Sequence, residues 1–306
     1  MPITKMKKLF VRSPFAATPA HPHQASRTLL PTSLVLLSIS STQVGAALAK
    51  SLFPALGPIG TVGLRVGWAA LILLVIWRLH LRGSYGWAAY RLAVLFGIVL
   101  AAMNLSFYAA LSQIPLGVAV SLEFVGPLTL AVVQSRKVVD VLWVVFAACG
   151  VLLLAPIHGL GETTLRLSGI GLALLAGACW AAYVLLSARV GSRFPGGVGL
   201  AWATGVAAIL LLPLSILQAG KELLHPLLLL AGAGVGVLSS AIPYSLEMEA
   251  LRRLPSRVFS VLLSLEPAIA ALVGFIVLRE QLTWRAMVAI ALISAASIGI
   301  VFFQRE

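Results

Sequence analysis

Charge is what this sequence has least of. Only 10% of its 306 residues are charged and only nine are acidic, against 60% hydrophobic residues and a mean hydropathy of +1.04. One soluble core cannot hide that much apolar surface, which excludes an ordinary water-soluble domain. Cysteine is scarce too: Cys149 and Cys179 both fall inside apolar runs, so neither a disulfide framework nor a metal-ligand spacing is available, and no metal or cofactor is expected. The five histidines, His21, His23, His80, His158 and His225, lie outside those runs or at their ends. No buried imidazole is left for a proton relay. A Gly-x-x-x-x-Gly-Lys-Ser/Thr phosphate loop is absent, and no link between apolar runs exceeds roughly a dozen residues, so ATP coupling would need another subunit. No basic stripe is interleaved with exposed aromatics, which argues against nucleic acid as a partner.

What the chain does have is long apolar stretches, each about 20 residues, enough to cross a bilayer. They read as Leu30–Ala49, Pro58–Trp77, Leu92–Leu111, Pro115–Gln134, Val139–Ile157, Gly169–Ala188, Val198–Leu217, Pro226–Leu246, Val258–Leu278 and Ala286–Phe303. The expected fold class is therefore an all-α polytopic membrane protein with ten transmembrane helices, and the lipid bilayer is its first partner. The net charge of +13 is unevenly distributed. Sixteen of the 22 Lys and Arg fall in the termini and even-numbered links, five in the odd-numbered links, and one, Arg65, inside a span. The positive-inside rule then puts both termini in the cytoplasm.

An internal repeat organises the spans. Ala110-Leu111-x-x-x-Pro115 recurs as Ala250-Leu251-x-x-x-Pro255, and Pro127 recurs as Pro267, at one common offset of 140. Two halves of five spans follow, and because five is odd the second half enters from the opposite side. The expectation is two inverted five-helix repeats, residues 29–160 and 161–306, an architecture of transporters rather than of channels or receptors. Residues 1–28, with five basic residues, no acid and four prolines, read as a flexible basic cytoplasmic leader.

Polar groups kept in the apolar runs are the candidate site. Glu123 sits near the middle of Pro115–Val133, where a carboxylate costs about 2.5–3.5 kcal/mol on insertion scales while each Leu, Val or Phe returns about 0.3–0.6. Pro127, four residues on, has no N–H and frees the carbonyl of Glu123. Arg65 is the one basic residue well inside a span, flanked by Gly63 and Gly67 at a spacing that lets helices approach closely. It is expected to pair with Glu123 or to bracket a shared polar cavity with it; the plainer alternative is that Arg65 snorkels to nearby headgroups and locks the fold. Glu266 precedes Pro267, which biases the backbone away from regular helix and opens a break where an acid can take up and release a proton. Asn104, Tyr108 and Tyr244, with Gln43, Tyr183, Ser239 and Ser240, are the polar groups available to orient a zwitterion. Each alone is more often a helix-to-helix hydrogen bond.

Three stretches carry a family resemblance: Gly45–Arg65 (GAALAKSLFPALGPIGTVGLR), Pro115–Pro127 (PLGVAVSLEFVGP) and Leu238–Glu280, with IPYSLEMEALRRLP and SLEPAIAAL. From about residue 30 onward the chain resembles the threonine/homoserine exporters of the ten-span EamA-type branch of the drug/metabolite transporter superfamily. The resemblance implies efflux of small amino acids across the bacterial inner membrane, driven by protons, with spans five and ten peripheral to a central cavity. It supplies no mapped residue set, so Arg65, Glu123 and Glu266 rest on the cost of burying them. The nearest alternative keeps the mechanism and changes the cargo to another metabolite or a drug. An intramembrane enzyme would need a nucleophile beside a base, which the spans do not offer, so no enzyme activity is expected. A non-transporting scaffold is the remaining alternative, and a homodimer is left open.

Overall fold

The structure is a computed structural model, and it describes residues 25–78, 80, 83–134, 139–154, 166–251, 253–254 and 256–303. The described residues fold into helices joined by short turns, with no strand among them. In chain order the helices are α1 (Ala25–Ser51), α2 (Phe53–Trp77), α3 (Trp87–Leu111), α4 (Leu116–Gln134), α5 (Val139–Leu154) and α6 (Leu167–Gly191). Then come α7 (Val198–Ala219), α8 (Pro226–Gly236), α9 (Ile242–Leu251), α10 (Ser256–Leu263), α11 (Glu266–Leu278) and α12 (Trp284–Phe303). Five segments are long and apolar enough to cross a membrane: Pro31–Ser51, Phe53–Trp77, Trp87–Leu111, Leu167–Gly191 and Val198–Leu224. Five shorter apolar segments accompany them: Leu116–Leu130, Val145–Leu154, Pro226–Ser240, Glu266–Leu278 and Trp284–Gly299. The chain is a polytopic membrane protein of helices, and most of the proposed leader lies outside the described residues.

Two of the expected spans are interrupted, and in each the sequence supplies the reason. Between α8 and α9 the backbone widens into a π-helical turn, Val237–Ala241, just ahead of Pro243. A proline leaves carbonyls of the preceding turn without a donor, and in a membrane another helix must supply one. Here α1 does so, the Ser41 hydroxyl donating to Leu238 O at 2.7 Å, and Ser38 donates in addition to the carbonyl of Pro243 itself at 3.3 Å. Gly45 permits the approach, since a Cβ there would lie 2.9 Å from that of Ser239. The second interruption falls at Ser264–Leu265, between α10 and α11, so that Glu266 opens a new helix with Pro267 in its first turn, the position where a missing N–H costs nothing. The break expected beside Glu266 is present.

Helix α2 is broken at Gly57, whose φ of 67° and ψ of 168° lie outside the helical region, and restarts at Pro58. The Gln218 side chain of α7 caps the restart, its Oε1 accepting the Ile59 N–H at 2.7 Å and the Gly60 N–H at 3.1 Å. The close packing expected of Gly63 and Gly67 is shifted by one turn. A Cβ on Gly63 would lie 1.9 Å from the Ser215 hydroxyl and one on Gly60 2.8 Å from the Ala219 Cβ, whereas Gly67 faces open space. The small-residue face of α2 therefore runs through Gly60 and Gly63 onto α7.

The helices pack in pairs: α2 on α7, α3 on α6 and α7, α4 on α6 and α11, α5 on α12, and α1 on α9 and α11. Tyr108, Leu111, Leu116 and Leu122, all at most 1% exposed, sit in the apolar core where α3 and α4 pass α1. Helices α5 and α12 keep mainly to each other and to α4 at one flank.

Candidate functional site

Arg65 lies on α2 and is held by two other segments, the π-helical turn and α3. Its Nε donates to the Ser239 hydroxyl of the π-helical turn at 2.9 Å, and its Nη1 donates to Asn104 Oδ1 of α3 at 3.0 Å. Both acceptors are themselves oriented. Asn104 Nδ2 donates to Leu100 O at 2.8 Å, which fixes its carbonyl oxygen toward Arg65, and Ser239 donates to Val235 O at 2.6 Å. The guanidinium carbon stands 5.4 Å from the centre of the Tyr108 ring, a cation–π arrangement worth about 0.5–2 kcal/mol. Tyr108 is wholly buried, and its hydroxyl has no hydrogen-bond partner.

The acids stand on the neighbouring helices. Glu123 of α4 is in electrostatic reach of both Glu266 and Arg65, and of Cys179 on α6. Glu266, the first residue of α11, accepts a hydrogen bond from Gln43 Nε2 of α1 at 3.2 Å. The expected direct bond between Arg65 and Glu123 is not the arrangement found. Arg65 spends its Nε and Nη1 donors on neutral acceptors and reaches Glu123 through space only. Asn104, Tyr108, Gln43 and Ser239 join this group. The Tyr183 ring lies tilted against that of Phe96 with centroids 4.9 Å apart, and the side chain of Tyr244 lies outside the described residues.

Close packing sets where Glu123 stands. A Cβ on Gly177 of α6 would lie 2.5 Å from the Glu123 carbonyl oxygen, the carbonyl that Pro127 leaves without a donor, and one on Gly126 would lie 1.8 Å from Gly177 O. Glycine at both positions lets α4 and α6 meet backbone to backbone. Toward the start of α4, a Cβ on Gly117 would meet the Ala271 Cα at 2.6 Å, which brings the two acid-bearing helices α4 and α11 together.

Sequence reasoning missed one cluster. Lys50, in the last turn of α1, forms an ion pair with Glu280 at 2.7 Å and also donates to Ile114 O at 3.0 Å. The other oxygen of Glu280 accepts the N–H of Leu116, the first residue of α4, at 2.8 Å. The pair is largely sheltered, with side chains 22% and 14% exposed. It ties the end of α1, the start of α4 and the segment after α11 into one knot. Its members are 230 residues apart, and the only trace in the sequence is that both fall in links assigned to the same face of the membrane.

No group of three or more His, Cys, Asp or Glu among the described residues is arranged to hold a metal ion. The site is one guanidinium, two carboxyl groups and neutral hydrogen-bonding groups between apolar helices, which suits it to bind a small charged or zwitterionic molecule.

Comparison with known proteins agrees with that chemistry. Residues 167–302 match the EamA-like transporter family. The chain is 45% identical over 274 residues to the threonine/homoserine exporter RhtA of Salmonella typhimurium (strain SL1344), a match covering 88% of this chain and 90% of that one. It is 44% identical over 274 residues, with the same coverage, to the threonine/homoserine exporter RhtA of Escherichia coli (strain K12). A solved crystal structure shares the fold with a TM-score of 0.56 at 18% sequence identity, over 92% of this chain and 100% of the other. With full-length relatives this similar and a bundle of apolar helices around a charged centre, the chain is a transporter protein that belongs to the EamA-like transporter family.

Proposed function

We infer that this chain is a secondary active exporter of small amino acids, threonine and homoserine foremost, working by proton antiport in the bacterial inner membrane with both termini in the cytoplasm. The cargo follows from the relatives' names. One observation carries the mechanism: an arginine and two glutamic acids from three helices share one region between apolar helices. Charges so placed are costly and are kept where a ligand or proton meets them.

Two inverted halves of five spans each supply the alternating access. Under that pairing span one answers to span six and span two to span seven, with α8–α9 and α10–α11 serving as spans eight and nine. Several helix contacts fit the exchange. Contact of α3 with α6 has its counterpart in α9 with α1, α4 with α6 in α11 with α1, and α3 with α7 in α8 with α2. Three further contacts join equivalent spans to each other: α2 with α7, α4 with α11 and α5 with α12. Such a set is expected of two like bodies related by an axis through their interface.

The site residues then divide the cargo between them. Arg65, steadied by Asn104, Ser239 and the Tyr108 ring, takes the substrate carboxylate; a guanidinium presents a planar fork that matches it. Glu123 and Glu266 take the ammonium. Two acids in low dielectric cannot both stay ionised without a cation nearby, so a proton and the substrate's ammonium are alternative partners for them, and binding of one expels the other. That competition is what antiport requires. With both termini in the cytoplasm, the Lys50–Glu280 knot falls at the extracytoplasmic ends of α1, α4 and α11.

The test is counterflow in proteoliposomes with labelled threonine and homoserine under an imposed pH gradient. Exchange that follows the gradient supports the assignment. Dye efflux that ignores added threonine would instead point to a drug-like cargo.

A further inference from the structure

Gln43 is 2% exposed, yet its amide is only half used. The Nε2 donates to Glu266 Oε1 at 3.2 Å, while Oε1 has no hydrogen-bond partner. With Glu266 ionised, as it is when it takes the substrate's ammonium, the carboxylate only accepts, and the bond from Gln43 sets the amide with its NH₂ toward the acid and its oxygen facing away. An acceptor buried without a donor is costly, and native proteins keep few of them. This one lies beside the region bracketed by Arg65, Glu123 and Glu266.

We propose that Gln43 is the residue that selects hydroxyl-bearing amino acids, its side-chain oxygen accepting the O–H of the substrate's side chain. The assignment rests on the amino-acid export reading above and adds the means by which threonine or homoserine is told from an apolar analogue. With the carboxylate on Arg65 and the ammonium on the acids, the group left to satisfy an acceptor next to Glu266 is the side-chain hydroxyl. In threonine two carbons separate nitrogen from hydroxyl oxygen and in homoserine three. Both are short enough to address a carboxyl group and the amide hydrogen-bonded to it at the same time. A substrate without the hydroxyl leaves the Gln43 oxygen as unpaired as it is in the structure, and sites built around a hydrogen bond reject such analogues far more strongly than apolar pockets reject an extra methyl. The unmatched acceptor lowers affinity about 10- to 100-fold.

The experiment measures competition for labelled threonine uptake into proteoliposomes by threonine, L-2-aminobutyrate and valine. L-2-aminobutyrate is threonine without its hydroxyl and is the smaller molecule, so a clash cannot explain its rejection. Valine replaces the hydroxyl by a methyl of similar size. In the wild type both analogues are expected to compete about 10- to 100-fold more weakly than threonine. In Gln43→Leu and Gln43→Met the ratio falls to within about threefold, even though losing the bond to Glu266 weakens all three ligands, because that loss is common to them. The ratio within one variant does not depend on how much protein reaches the membrane. A wild-type ratio near one overturns the proposal without any variant, and so does a wild-type-like ratio in both variants. If the wild-type protein moves no amino acid at all, the export reading fails instead, and the two failures are distinct.

Discussion

Replacing Lys50 by methionine keeps most of its aliphatic stem and removes the ammonium. Two bonds are lost, to Glu280 at 2.7 Å and to Ile114 O at 3.0 Å, and Glu280 is left holding only the Leu116 N–H. Breaking a fully buried ion pair by deleting one partner costs about 3–5 kcal/mol. An exposed pair is worth about 0–1 kcal/mol. With side chains 22% and 14% exposed this pair lies nearer the buried limit, so Lys50→Met is expected to cost about 2–4 kcal/mol. The double variant Lys50→Met/Glu280→Gln removes the stranded charge, and its amide oxygen still serves the Leu116 N–H. It should therefore recover about 1–3 kcal/mol relative to the single variant, a non-additivity typical of groups in one network. Thermal unfolding in detergent followed by tryptophan fluorescence reads the order: wild type highest, double variant next, Lys50→Met lowest. A double variant that melts below Lys50→Met by the full cost of Glu280→Gln alone would refute the reasoning, since the two residues would then be acting independently.

Three further outcomes follow from the site and the fold. Arg65→Ala should reduce threonine exchange at least 10-fold, whereas Arg65→Lys, which keeps a charge but loses the fork shared by Ser239 and Asn104, should fall between it and wild type; equal and undiminished counterflow in both would remove Arg65 from the site. Under an imposed pH gradient, Glu123→Gln and Glu266→Gln should each abolish gradient-driven uptake, and uptake as fast as wild type in both would leave the proton without its proposed carriers. Gly177→Ala places a methyl 2.5 Å from the Glu123 carbonyl oxygen and should cost about 1–3 kcal/mol by overpacking, visible as a lowered melting temperature together with lost exchange, while Gly67→Ala, which meets nothing within 4 Å, should leave melting unchanged.

Much of the architecture was legible because hydropathy and proline act locally. The spans at Pro58, Val139, Val198 and Pro226 begin where the apolar runs do, and the breaks beside Pro243 and Pro267 fall next to a residue without an N–H, although Pro127 and Pro213 leave α4 and α7 continuous. The polar group around Arg65 was legible only as a set of expensive residues. Their cost says that they have partners and is silent on which ones. Arg65 turned to Asn104 and Ser239 because neighbouring helices α3 and the π-helical turn present those acceptors, a consequence of packing that pairwise charge matching cannot foresee. The same holds for Gly67, whose spacing from Gly63 suited a close contact until the kink at Gly57 set which side of α2 meets α7. Lys50 counts in the sequence only as one of the five basic residues of the odd-numbered links, since a charge in a short link is ordinarily solvated, and only the fold brings it to Glu280.

The positions of the two charged groups bear on how the halves move. Glu123 lies seven residues into α4 from Leu116, about 10 Å along the helix at 1.5 Å per residue, and Leu116 is the residue whose N–H binds Glu280. Glu266 begins α11, and Glu280 follows the end of that same helix, bonded back through its own N–H to Gly274 O at 3.1 Å. The helices that carry the two acids are thus the two that the Lys50–Glu280 knot clasps at their other ends, and between knot and acids they touch backbone to backbone at Gly117 and Ala271. Helices packed that closely have little room to slide past each other, since any shift drives backbone into backbone. Under the export reading, a change of charge at Glu123 or Glu266 would act on α4 and α11 together, with α6 packed as closely on α4 at Gly126 and Gly177, while α1 holds the pair by Gln43 at one level and Lys50 at the other. On the proposed reading, substrate that satisfies Gln43 and Glu266 would loosen the first hold, and release to the far side would require the second to break. A transport cycle built this way needs no contact between the acids and the knot, only a rigid pair of helices shared by both.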